Sequence, residues 1–499
     1  MPRAKRSPKQ RRLWIWPGVA LAVLLAAAPA FLVAYRVAAR RLLSGPTLRA
    51  LINARPAEFQ IDWDAAESTR PGHAAIRNLR LRGSDPNVQW FATLASADVE
   101  FSVLALLRRH FVCTRLTGSG LAFALRSKLS PEQVQDTDLA RLPKIPGFDD
   151  PPLKNENDAF FVEPDPFVIE LRHVAVDRFD DIWINPFHYK GPARLEGGLY
   201  LKPLYLARID AVALTFDGGG LGLGDGPAGL AVNGKVTAAS TEFAPLRVPI
   251  EKVPGVISAD VALDLTASNL KTLAPMLSLP EGVRLEEGSA TAKIATTLRE
   301  GIANGTISVA VKGGGVRTTR FRVRGNATAE VPMNRWNLTA RPFDVSGTKV
   351  ALTDVHAVGA TETRAWWGRF EVPSGRLGQS AYGNVALRCQ DARPLLGLLG
   401  VQLPPWTNGL VKLDDFGATA TVAAAPATVR VEHLVASGGS FKIQGDFAQD
   451  GASGNGAFLI ESGILILGIE VTPSATKVRP LFAKQWYEKV QKEKAARVR

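Results

Sequence analysis

The sequence predicts a mainly β body carried on one N-terminal membrane-spanning helix. Three observations predict it: one long uncharged stretch near the N-terminus, apolar–polar alternation of period two over most of the remaining chain, and glycine and proline between the alternating runs. Among 499 residues, 45 Gly and 33 Pro stand against 3 Met, a balance that suits short strands joined by turns better than a helical bundle. Hydrophobic residues make up 46% and charged residues 21%, so the body carries enough apolar surface to fold. The length exceeds what one compact core usually organises, which leaves either several domains or one extended structure.

Residues 1–12 form a basic tail, and residues 13–35 (LWIWPGVALAVLLAAAPAFLVAY) an uncharged run of 23, long enough at ~1.5 Å per residue to cross a ~30 Å hydrocarbon layer. Trp14, Trp16 and Tyr35 flank it as interfacial aromatics do. Arg3, Lys5, Arg6, Lys9, Arg11 and Arg12 precede it and Arg36, Arg40 and Arg41 come after it, so the positive-inside bias places the N-terminus in the cytoplasm and the body outside. Ala28-Pro29-Ala30 offers the alternative of a cleaved signal peptide, but the apolar run continues past it through Phe31, Leu32 and Val33.

Residues 36–127 read as a helix broken at Gly45-Pro46, then strands over 58–65, 74–82, 87–101 and 111–126 with a short helical insertion at 103–109. Residues 128–166, rich in Pro, Asp and Glu, read as a linker or long surface loop. Over 167–471 the alternation recurs: Phe167/Ile169/Leu171, Val261/Leu263/Leu265, Ile307/Val309/Val311, Phe321/Val323, Val350/Leu352, Val385/Leu387, Val429/Val431 and Phe441/Ile443. Asp264, Lys312, Arg322, Arg388, Arg430 and Lys442 fill intervening places, which gives each strand one apolar and one wet face. The segment from Leu265 parallels the one from Leu387, and Phe321-x-Val323-x-Gly325-Asn326 parallels Phe441-x-Ile443-x-Gly445-Asp446, both at offsets of about 120 residues. This reads as a modular β-array or as two duplicated sandwiches; the lack of a linker between the copies favours the array.

The net charge of +13 sits at the ends. Nine of the 60 basic residues fall in 1–41 and eight in 477–499, where Glu488 and Glu493 are the only acids, so the residues between carry 43 basic and 45 acidic side chains. Basic ends on a neutral body fit anionic headgroups better than a phosphate-tracking groove, which argues against nucleic acid as a partner. Within 472–499, Leu481, Phe482, Trp486 and Val490 recur at spacings that give a helix from about Pro480 a narrow apolar stripe among lysines and arginines. That helix would either contact a membrane or partner or cap the end of the sheet.

Nothing in the chain reads as a catalytic centre, cofactor site or metal site. His73, His110, His173, His188, His356 and His433 are scattered without HExxH, and neither GxSxG nor a Walker A sequence occurs. Gly224-Asp225-Gly226-Pro227-Ala228-Gly229 matches GxGxxG in form, but Pro227 interrupts it and a strand pattern comes next. Cys113 and Cys389 form no CxxC, and Cys389 continues the apolar alternation of Val385 and Leu387, as a small buried hydrophobe would; whether the two pair is left open by the sequence.

The N-terminal anchor, the helix LRALIN, the strands PAEFQIDWDAA, HAAIRNLRLRG and VQWFATLASADVEFSVLALLRRHFVCTRLTGSGLAFALR, and the unit ending QDARPLLGLLG resemble the AsmA-like proteins, relatives of TamB in the Gram-negative envelope. The resemblance spans most of the chain through patterns of residue type. It implies an elongated, curled antiparallel β-sheet whose apolar inner face forms a groove for lipid acyl chains, with short flanking helices. It further implies an inner-membrane anchor, a periplasmic body, no catalytic residues, and phospholipid movement toward the outer membrane. On that reading the alternating apolar residues from Val261 to Ile443 line the groove, phospholipid is the cargo, and an outer-membrane or envelope protein meets the C-terminal end. The alternative class is a non-enzymatic assembly factor for outer-membrane proteins that pairs client strands at a sheet edge.

Overall fold

The computed structural model describes residues 33–46, 49–50, 53, 59–106, 108–136, 138–154, 168–202, 205–244, 247–248, 250–277, 279, 282–318, 322–357, 365–391, 414–425, 427–451 and 453–498. The fold is mainly β, in two compact units: residues 1–219 with 239–250, and residues 220–238 with 251–499. Most of the expected spanning segment 13–35 lies outside the described residues, as do Phe167 and Phe321. A helix runs over 33–44, and among the described residues no helix is long and apolar enough to cross a membrane.

In the first unit, β1 (Phe59–Asp62) and β2 (Ala65–Glu67) both pair antiparallel with β3 (His73–Ser84), followed by β4 (Val88–Phe101) and β5 (His110–Ser127). The helical insertion expected at 103–109 occupies Val103–Leu106. Then β5 pairs in parallel with β6 (Val168–Val176) and β7 (Phe179–Ile184); β8 (Phe187–Lys190), β9 (Ala193–Lys202) and β10 (Leu206–Leu223) return to antiparallel pairing. Parallel neighbours need a crossover. Residues 128–154, expected as linker or loop, begin that crossover as packed structure.

Arg126 holds this crossover in place. Its side chain is 1% exposed; Nε donates to Gln89 Oε1 (2.9 Å), Nη1 to the Pro143 carbonyl (3.1 Å) and to the Asp150 carboxylate, and Nη2 to the Asp149 carbonyl (2.8 Å). A buried guanidinium is tolerated only when its donors are met, and a proline- and aspartate-rich loop supplies carbonyls and a carboxylate for the purpose.

The remaining strands are β11 (Leu230–Ala238), β12 (Thr241–Phe243, in the first unit against β10), β13 (Ala259–Ala267), β14 (Arg284–Leu285), β15 (Ser289–Arg299), β16 (Ile302–Arg317), β17 (Arg322–Asn337), β18 (Phe343–Asp344), β19 (Thr348–Ala357), β20 (Trp366–Leu377), β21 (Ala381–Asp391), β22 (Asp414–Ala425), β23 (Thr428–Gly438), β24 (Phe441–Asp450), β25 (Ser453–Ser462), β26 (Leu465–Val471) and β27 (Thr476–Arg479). In the second unit each main strand pairs antiparallel with the next, from β11 through β13, β15, β16, β17 and β19 to β27, with β14 and β18 as short additions.

Bulges bend this meander, and side-chain amides or carboxylates from the neighbouring strand secure them. The Gly313 N–H (φ +58°) donates to Asn326 Oδ1 (2.8 Å), and the His433 N–H (φ +53°) donates to Asp446 Oδ1 (2.8 Å). Asn326 and Asp446 are the matched last residues of the repeated motif, so the two copies do the same structural job: each fixes an extra residue in the preceding strand and adds local twist.

Candidate apolar ligand face

The register decides which side chains share a face, because residues directly opposite in an antiparallel ladder point the same way and successive residues alternate. One row passes through the whole meander: Val232–Leu265–Ala292–Val309–Ala329–Val350–Phe370–Leu387–Ala418–Ala436–Ile443–Ile460–Leu467, each residue opposite the next. It is apolar at every position.

Parallel rows on the same face take in the other expected positions. Leu263 continues through Ile294 to Ile307, Val261 lies two residues from Leu263, and Val311 joins through Ala327 to Leu352. Val323, Val385 and Phe441 join by alternation within β17, β21 and β24, while Val431 reaches Phe447 across the ladder and Val429 lies two residues from it. Every groove candidate within the described residues therefore falls on one face.

The opposite row reads Asn233–Asp264–Lys293–Ser308–Glu330–Lys349–Glu371, polar and exposed throughout. Beyond β20 that row is mixed, Ala386–Thr419–Val435–Gln444–Leu459, ending at Gly468. There the helix Ala483–Val498 packs on β25 and β26. The close approach explains Gly468: a Cβ there would sit 2.6 Å from Trp486 Cε3.

Among the described residues, two closed cores lie on the apolar face toward strand ends. Trp366, Cys389, Phe416, Ala436 and Phe441 cluster at one set of ends, and Ala259, Leu298, Ala303 and Met333 at the other. Both clusters consist of residues on neighbouring strands of the same sheet. Leu387 and Ile443 pack against the first cluster, and Leu265, Val309 and Val350 are only half-buried, whereas inward residues of a β-sandwich are covered by a second sheet about 10 Å away.

The C-terminal stripe divides. Trp486 lies over Gly468 with the Arg479 guanidinium 5.3 Å from its ring centroid, and Val490 is half-buried. Leu481 and Phe482 precede the helix, which begins at Ala483, three residues past Pro480, and both are exposed. Asp446 ties the helix down: Gln491 Nε2 donates to it (2.8 Å) and Lys494 Nζ lies 3.4 Å away. Burial pushes its carboxyl up, but the Gln491 and His433 hydrogen bonds and the Lys494 charge outweigh this and hold it below the usual carboxylate range.

Other chemistry is sparse. Cys113 and Cys389 are free and buried, and burial pushes each thiol up to about 11, which suppresses the reactive thiolate. No group of three or more His, Cys, Asp or Glu able to hold a metal occurs among the described residues. An open cleft of about 640 Å³ in the first unit is lined by Glu67, Arg77, Asp98 and Thr117 among others, apart from all the apolar candidates. Sequence reasoning missed the alanines of the continuous row and Val232, Phe370, Ile460 and Leu467; Phe370 alternates with Trp366 and Gly368 and was open to the same period-two reading. No family model, curated protein or solved structure matches the chain.

Proposed function

We propose that the second unit binds lipid acyl chains along its apolar face and works without catalysis as a phospholipid carrier. On this reading residues 13–35 anchor the chain in the inner membrane, the body lies in the periplasm, and the protein assists phospholipid transport to, or homeostasis of, the outer membrane. The observation that supports the binding reading is the unbroken apolar row from Val232 to Leu467, buried at Val232, Ala436 and Leu467 and half-buried at the positions between. A face of that length left open to water is unfavourable by ~25 cal/mol per Å² of apolar surface, and acyl chains are a ligand that covers it without asking for specific polar partners.

The assembly-factor reading needs a pairable edge. The last strand, β27, has four residues, two of them Lys477 and Arg479, a short and charged edge of the kind that discourages strand addition. The apolar face therefore carries the argument. Val350→Lys with Leu387→Lys tests it: both positions are half-buried, so the lysine stems can lie along the sheet with their charges at its surface. Phospholipid recovered by mass spectrometry from the purified full chain should fall severalfold with an unchanged far-UV circular dichroism spectrum. Equal recovery from the variant would overturn the proposal.

A further inference from the structure

We infer that the corner formed by the β25–β26 turn and residues 480–482 is a membrane-insertion point that docks on an anionic phospholipid surface. Ile464 is 105% exposed at the tip of the turn, and Leu481 and Phe482 are each 76% exposed. The register Gly468↔Arg479 carries residues 480–482 back toward the start of β26, so two separate segments bring large apolar side chains to the same end of the sheet. None of the three belongs to a core cluster.

Phe482 is the most telling. Its φ is +56°, a left-handed conformation that is uncommon for a bulky aromatic and natural to glycine. Its carbonyl accepts the Trp486 N–H (3.0 Å), so any residue satisfies the helix start there. Neither the backbone nor the packing asks for phenylalanine; an apolar environment outside the chain does.

The charge says which environment. Residues 477–499 carry eight basic residues against Glu488 and Glu493, and Lys484, next in the chain after Ala483, is exposed, as are Lys489 and Lys492 farther along the helix. Exposed apolar side chains at the head of a lysine-rich helix match a surface of acyl chains beneath anionic headgroups. This goes beyond the carrier reading and does not depend on it, since these residues are distinct from the apolar row.

The test uses the full chain in nanodiscs with an environment-sensitive fluorophore on Ile464→Cys, the native cysteines being buried. Acceptor vesicles of phosphatidylcholine with phosphatidylglycerol carry a spin-labelled lipid quencher, so quenching reports contact with the added membrane and not with the anchor's own bilayer. Quenching is expected at position 464, and at Leu481→Cys, but not at Glu330→Cys; it should drop severalfold with phosphatidylcholine alone or at high salt. Phe482→Gly should leave the thermal midpoint unchanged or raised while weakening vesicle contact at 464 roughly tenfold. No quenching at 464 and 481 would overturn the inference, as would quenching indifferent to lipid charge. So would protection of the corner by a bound protein while vesicles fail to engage it.

Discussion

The Arg126 crossover of the first unit and the apolar face of the second treat burial in opposite ways. Around Arg126 a charged group is taken out of water and all its neighbours are supplied by the chain itself: Gln89, Asp150 and the carbonyls of Pro143 and Asp149. Across Leu265, Val309 and Val350 apolar groups are lined up by register and then left only half-buried, with no second sheet over them among the described residues. The first region is complete within the chain and the second is not. The physical lesson is that the surface a fold leaves uncovered, rather than the surface it covers, is where a ligand is to be sought.

The largest expected effect breaks the complete region. Arg126→Ala leaves the Asp150 carboxylate, the Gln89 amide oxygen and the buried Pro143 carbonyl without their donor and should destabilise the first unit by about 3 kcal/mol, read as a loss of chemical-denaturation midpoint and increased proteolysis within 128–154. Close behind, Trp366→Ala removes the largest member of a closed end cluster and the Nε1–H bond to the Asp391 carbonyl (2.7 Å), and should cost about 3 kcal/mol. In the half-buried region, Val350→Ala should cost only about 1 kcal/mol, because that side chain is not fully buried and two methyl groups are removed from it. A stability loss at Val350 equal to that at Trp366 would mean that the face is covered, and the contrast between the regions would fail.

A smaller effect concerns the C-terminal helix. Asp446 has its folded carboxyl held below the ordinary range, so its contribution is present above the unfolded value near 3.9 and is lost as pH falls below it through the folded value. Hydrogen exchange in 483–498 should therefore accelerate only in acid below about pH 4, and Asp446→Asn should abolish that dependence. Smallest of all, Lys349→Ala on the exposed polar face should change stability by less than about 0.5 kcal/mol.

Period-two alternation made the strands and the shared face legible in the sequence. The expected strands 74–82, 87–101 and 111–126 correspond to β3, β4 and β5, and the scattered apolar pairs from Val261 to Ile443 fall on one side once the ladder is known. Alternation assigns a residue to a face of its own strand; it does not say which residue lies opposite, because bulges at Gly313 and His433 each shift the count by one. Alanine carries little hydrophobic signal, so Ala292, Ala329, Ala418 and Ala436 became visible only as links between larger neighbours. The Arg126 site was hidden for a different reason: two of its four partners are backbone carbonyls, which any residue supplies, and the other two, Gln89 and Asp150, lie 37 and 24 residues away in sequence. At the C-terminus, helical spacing grouped Leu481 and Phe482 with Trp486 and Val490, but the helix begins at Ala483 and separates the two pairs.

Site-specific photo-crosslinking of the full chain in living cells tests the central claim most directly. A photoreactive residue is placed in turn at Val309, Lys349, Val350, Leu387 and Arg388, and captured phospholipid is identified by mass spectrometry. Capture at Val309, Val350 and Leu387 without capture at Lys349 and Arg388 is the predicted result, since adjacent positions in one strand lie on opposite faces. Equal capture on both faces, or none at the three apolar positions, would contradict the account.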